Sequence, residues 1–337
     1  CGTPTPIADI LIINGTRAKR GELPWHAGIY DKTFTPYKQI CGGSLISTKL
    51  VTGWGLTAAD GPASSLLLTT DLPYLDATKN GTREYTPPDR ARRVAPDGCP
   101  YLAPGRTSEP TGIKSWDKCL EYQMRVIYPC EESKTLMGDK VRRDYCRHNA
   151  GELIVEGTDA KLDEFPHMVY QIKRIIKHPD FNWQIKQNDI ALLETDKIHL
   201  SQSIVPACLD VFGGDRDRAV VTGWGSPSFK AASNGEFKNT LQKVTLTKFT
   251  DTECRAGPIE SIFNNTVHVC YGDYNSSAGP CWGDNGGPLT IINHRLHCMY
   301  TMVGITSYGV GCGNPGQPTY YTKISHYVPW IESIVWP

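Results

Sequence analysis

Gly283-Asp284-Asn285-Gly286-Gly287-Pro288-Leu289 is the most specific stretch of this 337-residue chain. Read locally, it is a glycine-rich turn running into a strand. Its weight comes from what surrounds it, beginning with an internal repeat. Leu11-Ile12-Ile13-Asn14-Gly15-Thr16-Arg17-Ala18 returns as Leu153-Ile154-Val155-Glu156-Gly157-Thr158-Asp159-Ala160, and Pro24-Trp25-His26 is echoed by Phe165-Pro166-His167. Val51-Thr52-Gly53-Trp54-Gly55 recurs identically as Val221-Thr222-Gly223-Trp224-Gly225. Three matches in one order mean two copies of one module.

The composition narrows the class. Lysine plus arginine total 35 and aspartate plus glutamate total 35. Zero formal charge argues against nucleic acid and against a polybasic membrane anchor. No apolar run approaches the ~18 residues of a membrane helix. Gly 32 and Pro 24 imply many turns, as in an all-β chain. Twelve cysteines without paired C-x-x-C knuckles favour disulfides over zinc, so no metal and no cofactor is expected. Sequons at Asn14, Asn80, Asn264 and Asn275 fit a secreted, extracellular glycoprotein. Opening on Cys1 rather than a methionine, the chain reads as a fragment or a mature form.

Along the chain, prolines 87, 88, 96, 100, 104 and 110 mark an extended linker, followed by a small cystine-tied segment. Tyr170 to Lys177 and Asp189 to Glu194 have strand composition, and Val244 and Leu246 alternate with polar neighbours. Pro329 with Ile331, Ile334 and Val335 predicts a terminal helix opened by the proline. The expected divisions are 1–80, a partial first copy; 81–152, the linker; and 153–337, the second copy.

With these residues in view, the chain resembles the chymotrypsin-like (S1) serine proteases, whose nucleophile sits in Gly-Asp-Ser-Gly-Gly-Pro-Leu. Asn188-Asp189-Ile190-Ala191-Leu192-Leu193, Gly223-Trp224-Gly225 and Ser307-Tyr308-Gly309 carry the same resemblance. It covers residues 154 to 337 well and 11 to 50 in part. It implies an all-β fold of two antiparallel β-barrels closed by a C-terminal helix, the second barrel complete and the first incomplete. The 35 residues from Ile154 to Asp189 fall short of the ~40 that five strands need. Residues 25 to 51 of the first copy are therefore expected to pair into the deficient barrel, since an open strand edge captures a matching strand.

Catalysis in that family needs a hydroxyl nucleophile, an imidazole base and a buried carboxylate to orient it. The resemblance gives Asp189 as the carboxylate. Asn285 stands at the nucleophile position, and an amide nitrogen, its lone pair held in resonance, cannot attack. The imidazole belongs in an Ala-Ala-His-Cys stretch after Cys41-Gly42-Gly43-Ser44. Here Lys49-Leu50-Val51 runs straight into Thr52-Gly53-Trp54, and no histidine has that context. His178, in Lys177-His178-Pro179-Asp180, reads as a surface-turn residue. The backbone N–H groups of Gly283 and Asn285 would form the oxyanion hole. Gly279, Ser307, Gly309 and Thr319 would line a small, uncharged substrate pocket. Leu153 and Ile154 look like an activation junction, with Asp284 as the acceptor of the freed amine, although Glu156 stands where glycine is usual.

The resemblance also implies bridges Cys254–Cys270 and Cys281–Cys312, and a tether from Cys208 to Cys119, Cys130 or Cys146. Residues 111 to 157 look like the linker of an arthropod clip-domain protease without a complete clip. Residues 1 to 50 resemble the start of the catalytic domain in a modular, cascade-initiating protease. Cys41, and with it Cys1, is expected to lack its usual partner. The expected role is an inactive, secreted protease homologue of innate immunity that binds proteases, zymogens or a microbial surface. Two alternatives stand beside it: an active endopeptidase of chymotrypsin- or elastase-like specificity, and a mis-joined fusion of two protease genes.

Overall fold

The computed structural model describes residues 10–13, 16–17, 23–31, 38–53, 66–69, 83–84, 95, 97–103, 105–133, 139–146, 169–201, 204–214, 216–225, 241–256, 262–281, 283–309 and 314–337. In chain order the strands begin with β1 (Ile10–Ile13), β2 (Thr16–Arg17), β3 (His26–Asp31), β4 (Lys38–Leu45), β5 (Leu50–Gly53), β6 (Leu66–Thr69) and β7 (Arg83–Glu84). Helix α1 (Lys114–Tyr122) continues as a π-helical turn to Ile127, followed by β8 (Cys130–Glu132) and β9 (Lys140–Asp144). The strands β10 (Val169–Lys177), β11 (Ala191–Thr195), β12 (Cys208–Leu209), β13 (Arg218–Gly223) and β14 (Gln242–Lys248) lead to α2 (Asp251–Ala256). Last come β15 (His268–Gly272), β16 (Gly279–Cys281), β17 (Pro288–Ile292), β18 (Tyr300–Tyr308), β19 (Thr319–Lys323) and α3 (Ile324–Val335).

A closed six-stranded barrel runs in the order β10-β11-β5-β4-β3-β6. Only β10 and β11 come from the second copy; the other four come from residues 26–69. The splices are antiparallel: Leu192 faces Thr52 and Leu193 faces Val51, while Tyr170 faces Leu68. The barrel that the second copy leaves incomplete on its own is thus closed by first-copy strands. Pairing removes the open edges, and Leu23, Trp25, Ile29, Leu45 and Val51 become buried in one core with Leu192, Leu193 and Ile198.

The second barrel closes through β17-β13-β14-β15-β19-β18, with β18 also bonded to β17. Leu246 of β14 is buried while Thr245 is exposed, the alternation expected of a half-buried strand. The first barrel's core runs on into this half through Met302 and Ile305 and onto α3 through Tyr327 and Ile331. The helix begins five residues before Pro329, which lies inside it rather than at its start. The missing proline N–H removes one helical bond, offset by burial of Ile324, Tyr327, Val328 and Ile331.

Residues 95–146 do more than link. Trp116, Leu120, Val126 and Tyr128 bury themselves with Val205, Leu296 and Met299 at the second barrel's flank. The disulfide Cys119–Cys208 ties α1 to β12, Cys146–Cys298 ties the end of this segment to the turn before β18, and Cys99–Cys130 closes it internally. Cys208's mate among the three candidates is Cys119. Cys41 is disulfide-bonded, to a partner outside the described residues. Among the described residues no helix is long and apolar enough to cross a membrane.

Candidate active site

The Gly283–Leu289 turn is built by its own backbone and clamped from both barrels. Asp284 N–H donates to Cys281 O at 3.0 Å and Gly287 N–H to Asp284 O at 2.8 Å. Gly286 N–H donates to Thr306 O at 2.9 Å, and Thr306 N–H returns a bond to Gly287 O at 2.9 Å. From the first barrel, Gly42 N–H donates to Asn285 O at 3.1 Å. A Cβ at Gly42 would sit 2.8 Å from Gly287 Cα, so only glycine lets β4 come this close.

Beneath the turn, Asp284 is fully buried. Its Oδ1 accepts from Gly225 N–H at 3.0 Å and its Oδ2 from Cys281 N–H at 3.1 Å. A Cβ at Gly223 would fall 1.7 Å from Oδ1, so this glycine vacates the carboxylate's place. Neither Gly283 N–H nor Asn285 N–H donates to an acceptor among the described residues, which leaves both available to a carbonyl oxygen. Gly283 has φ +94°, a conformation L side chains resist. The Oδ1 of Asn285 is buried without a hydrogen-bond partner.

Asp189 lies at the end of the loop before β11, and its main-chain oxygen accepts from Thr322 Oγ1 at 2.8 Å. Ser307 Oγ donates to its Oδ2. Its Oδ1 is buried and meets no donor. Burial pushes the Asp189 carboxyl up to about 6, because a charge removed from water with one donor is undersolvated. In a working triad an imidazole N–H takes that second oxygen.

Among the described residues no histidine fills that place. β5 ends at Gly53, opposite Ala191, and residues 54–65 that follow contain no histidine. His26 is buried in β3, with Nδ1 2.5 Å from Thr222 Oγ1 and its ring edge-on to Trp224. Burial pulls His26 down to about 3, so it is a neutral core residue. His268 Nε2 bonds Lys186 O at 2.9 Å, and His178 packs on Trp330 near the surface.

Gly279, Ser307 and Thr319 fall on β16, β18 and β19, with Gly309 directly after β18. A Cβ at Gly279 would meet nothing within 4 Å. Tyr308 stacks on Tyr320 with ring centroids 4.7 Å apart. Cys254 and Cys270 are bonded, and Cys281 is disulfide-bonded while Cys312 lies outside the described residues. Leu153 and Ile154 lie outside them too. The strand laid beside the Asp284 turn is β1 of the first copy, with Ile10 opposite Cys281 and Ile13 opposite Gly279. The Leu-Ile-Ile repeat at 11–13 is the sequence signal for this strand.

The Trypsin family model matches residues 146–331, more than half of the chain. The chain belongs to the trypsin family. It is 31% identical to Trypsin-1 of Astacus astacus over 193 residues, covering 56% of this chain and 78% of that protein. To Granzyme B(G,H) of Mus musculus it is 32% identical over 205 residues, covering 58% and 77%. To Trypsin of Phaedon cochleariae it is 34% identical over 169 residues, covering 49% and 61%. It is thus a trypsin-like serine protease domain with a trypsin-like double barrel.

Proposed function

We propose that this trypsin homologue is catalytically inactive and acts by binding. The observation that carries the reading is the buried Asp189 Oδ1 with no donor, together with an asparagine at 285 where the resemblance expects the nucleophile. Loss of the serine or the histidine of such a triad costs about 10⁶ in turnover, or about 8 kcal/mol. The free N–H groups of Gly283 and Asn285 could still cradle a carbonyl, for a residual acceleration of ~10³–10⁴ at most. Retained scaffold with lost chemistry fits a cofactor that engages a protease or zymogen in an extracellular cascade. Secretion is supported by four disulfides among the described residues and by exposed Asn275 in a sequon. A pocket at Gly279 and Thr319, both uncharged, would receive a small apolar side chain. A fluorophosphonate probe on the purified, sequence-verified protein tests the reading. No labelling is expected, and stoichiometric labelling that heat-denatured protein lacks would overturn it.

A further inference from the structure

Lined by no residue of the Gly283–Leu289 turn, a notch of about 320 Å³ lies among the turn 47–50 between β4 and β5, strands β10 and β11, the α1 segment and the end of α3. That is within the size range of small-molecule sites. Its rim carries four cations, Lys49, Lys118, Arg125 and Arg174, and two carboxylates, Glu121 and Glu194. Both carboxylates are already engaged. Lys118 Nζ lies 2.5 Å from Glu121, and Arg174 places Nε and Nη2 each 2.8 Å from Glu194 Oε2. Lys49 and Arg125 have no carboxylate partner among the described residues, so the notch has two cations in excess. Its apolar lining is Leu50, which is buried, and Ile176, Ile334, Val335 and Trp336, which pack against the core. Cations and an indole lining one notch suit a ring with a charged ester, the ring's C–H face on Trp336 and the ester oxygens on Lys49 and Arg125.

We propose that this notch binds a sugar sulfate or sugar phosphate ester. Bound there, the ester bridges the first barrel, α1 and α3, adding a non-covalent tie to the Cys119–Cys208 disulfide. The reading is independent of whether the Asn285 site is catalytic.

Calorimetric titration with glucose 6-sulfate, glucose 6-phosphate and glucose tests it. At least one ester is expected to bind and glucose is not, and the ratio of the two ester affinities identifies which acid group the site favours. The double variant Lys49→Gln, Arg125→Gln, both exposed positions, should weaken ester binding about tenfold. Arg218→Gln, an exposed residue at the start of β13 that does not line the notch, should leave it unchanged. Circular dichroism confirms that both variants fold. Binding of neither ester, equal binding of glucose, or full affinity in the double variant overturns the proposal.

Discussion

Gly42 of the first sequence copy donates its N–H to the main-chain oxygen of Asn285 in the second, at 3.1 Å. One hydrogen bond joins two repeats of the module across 243 positions of sequence, and the absence of a side chain at Gly42 permits it. Gly42→Ala should destabilise the fold by about 1–3 kcal/mol, because the new methyl meets Gly287 backbone. Gly223→Ala, whose methyl would land on the Asp284 carboxylate, should cost about 4 kcal/mol or more. Urea unfolding monitored by tryptophan fluorescence measures both, and a Gly223 variant as stable as the parent would contradict this packing.

Restoring the nucleophile alone should not restore turnover. Asn285→Ser supplies a hydroxyl, but no imidazole stands at Asp189 Oδ1 to take its proton. A chromogenic peptide assay should read background for both proteins. Turnover by the Ser variant would reveal a base elsewhere in the chain.

Two buried groups should give opposite pH signatures. Asp189 binds its proton more tightly folded than unfolded, since burial raises it to about 6 from 3.8. Stability from this group therefore falls as pH rises from about 4 to about 6, by about 3 kcal/mol in all. Asp189→Asn should accordingly stabilise the protein at pH 7 and have little effect below pH 4. His26 is held below its unfolded value of 6.5, at about 3, so its contribution is full above pH 6.5 and is lost as pH falls toward 3. His26→Phe should flatten the acid limb. Chemical denaturation at a series of pH values resolves the two slopes; an Asp189→Asn variant less stable at pH 7 would show that the carboxylate has a cationic partner.

Removing residues 23–53 takes β3, β4 and β5 from the first barrel. β11 and β6 then lose partners, and the core loses Trp25, Ile29, Leu45 and Val51. The truncated protein should bind a hydrophobic dye and lose its cooperative thermal transition. A sharp transition near the parent's would mean that residues 169–337 fold without the captured strands.

Much of the site is legible in short stretches of sequence. The Gly283–Leu289 turn around Asn285 carries short-range backbone needs: a left-handed glycine, amide bonds between neighbours in the turn, a proline opening a strand. Such constraints act over a few residues and leave a fixed local signature. His26 is not legible as a core residue, because nothing local announces that β3 will place it against Thr222 and Trp224, 196 and 198 positions later. Cys119 could not be chosen over Cys130 and Cys146 for the same reason, since a disulfide depends on which chain ends meet.

The sequence by itself determined the family and the internal repeat, and it carries Asn285 where the resemblance expects an attacking oxygen. Only the tertiary structure decided which copy supplies which strand. Leu11-Ile12-Ile13 and Leu153-Ile154-Val155 have nearly the same local preferences, so pattern cannot rank them. The ranking comes from how many backbone edges and apolar side chains each arrangement removes from water across the whole chain, a sum over partners hundreds of residues apart.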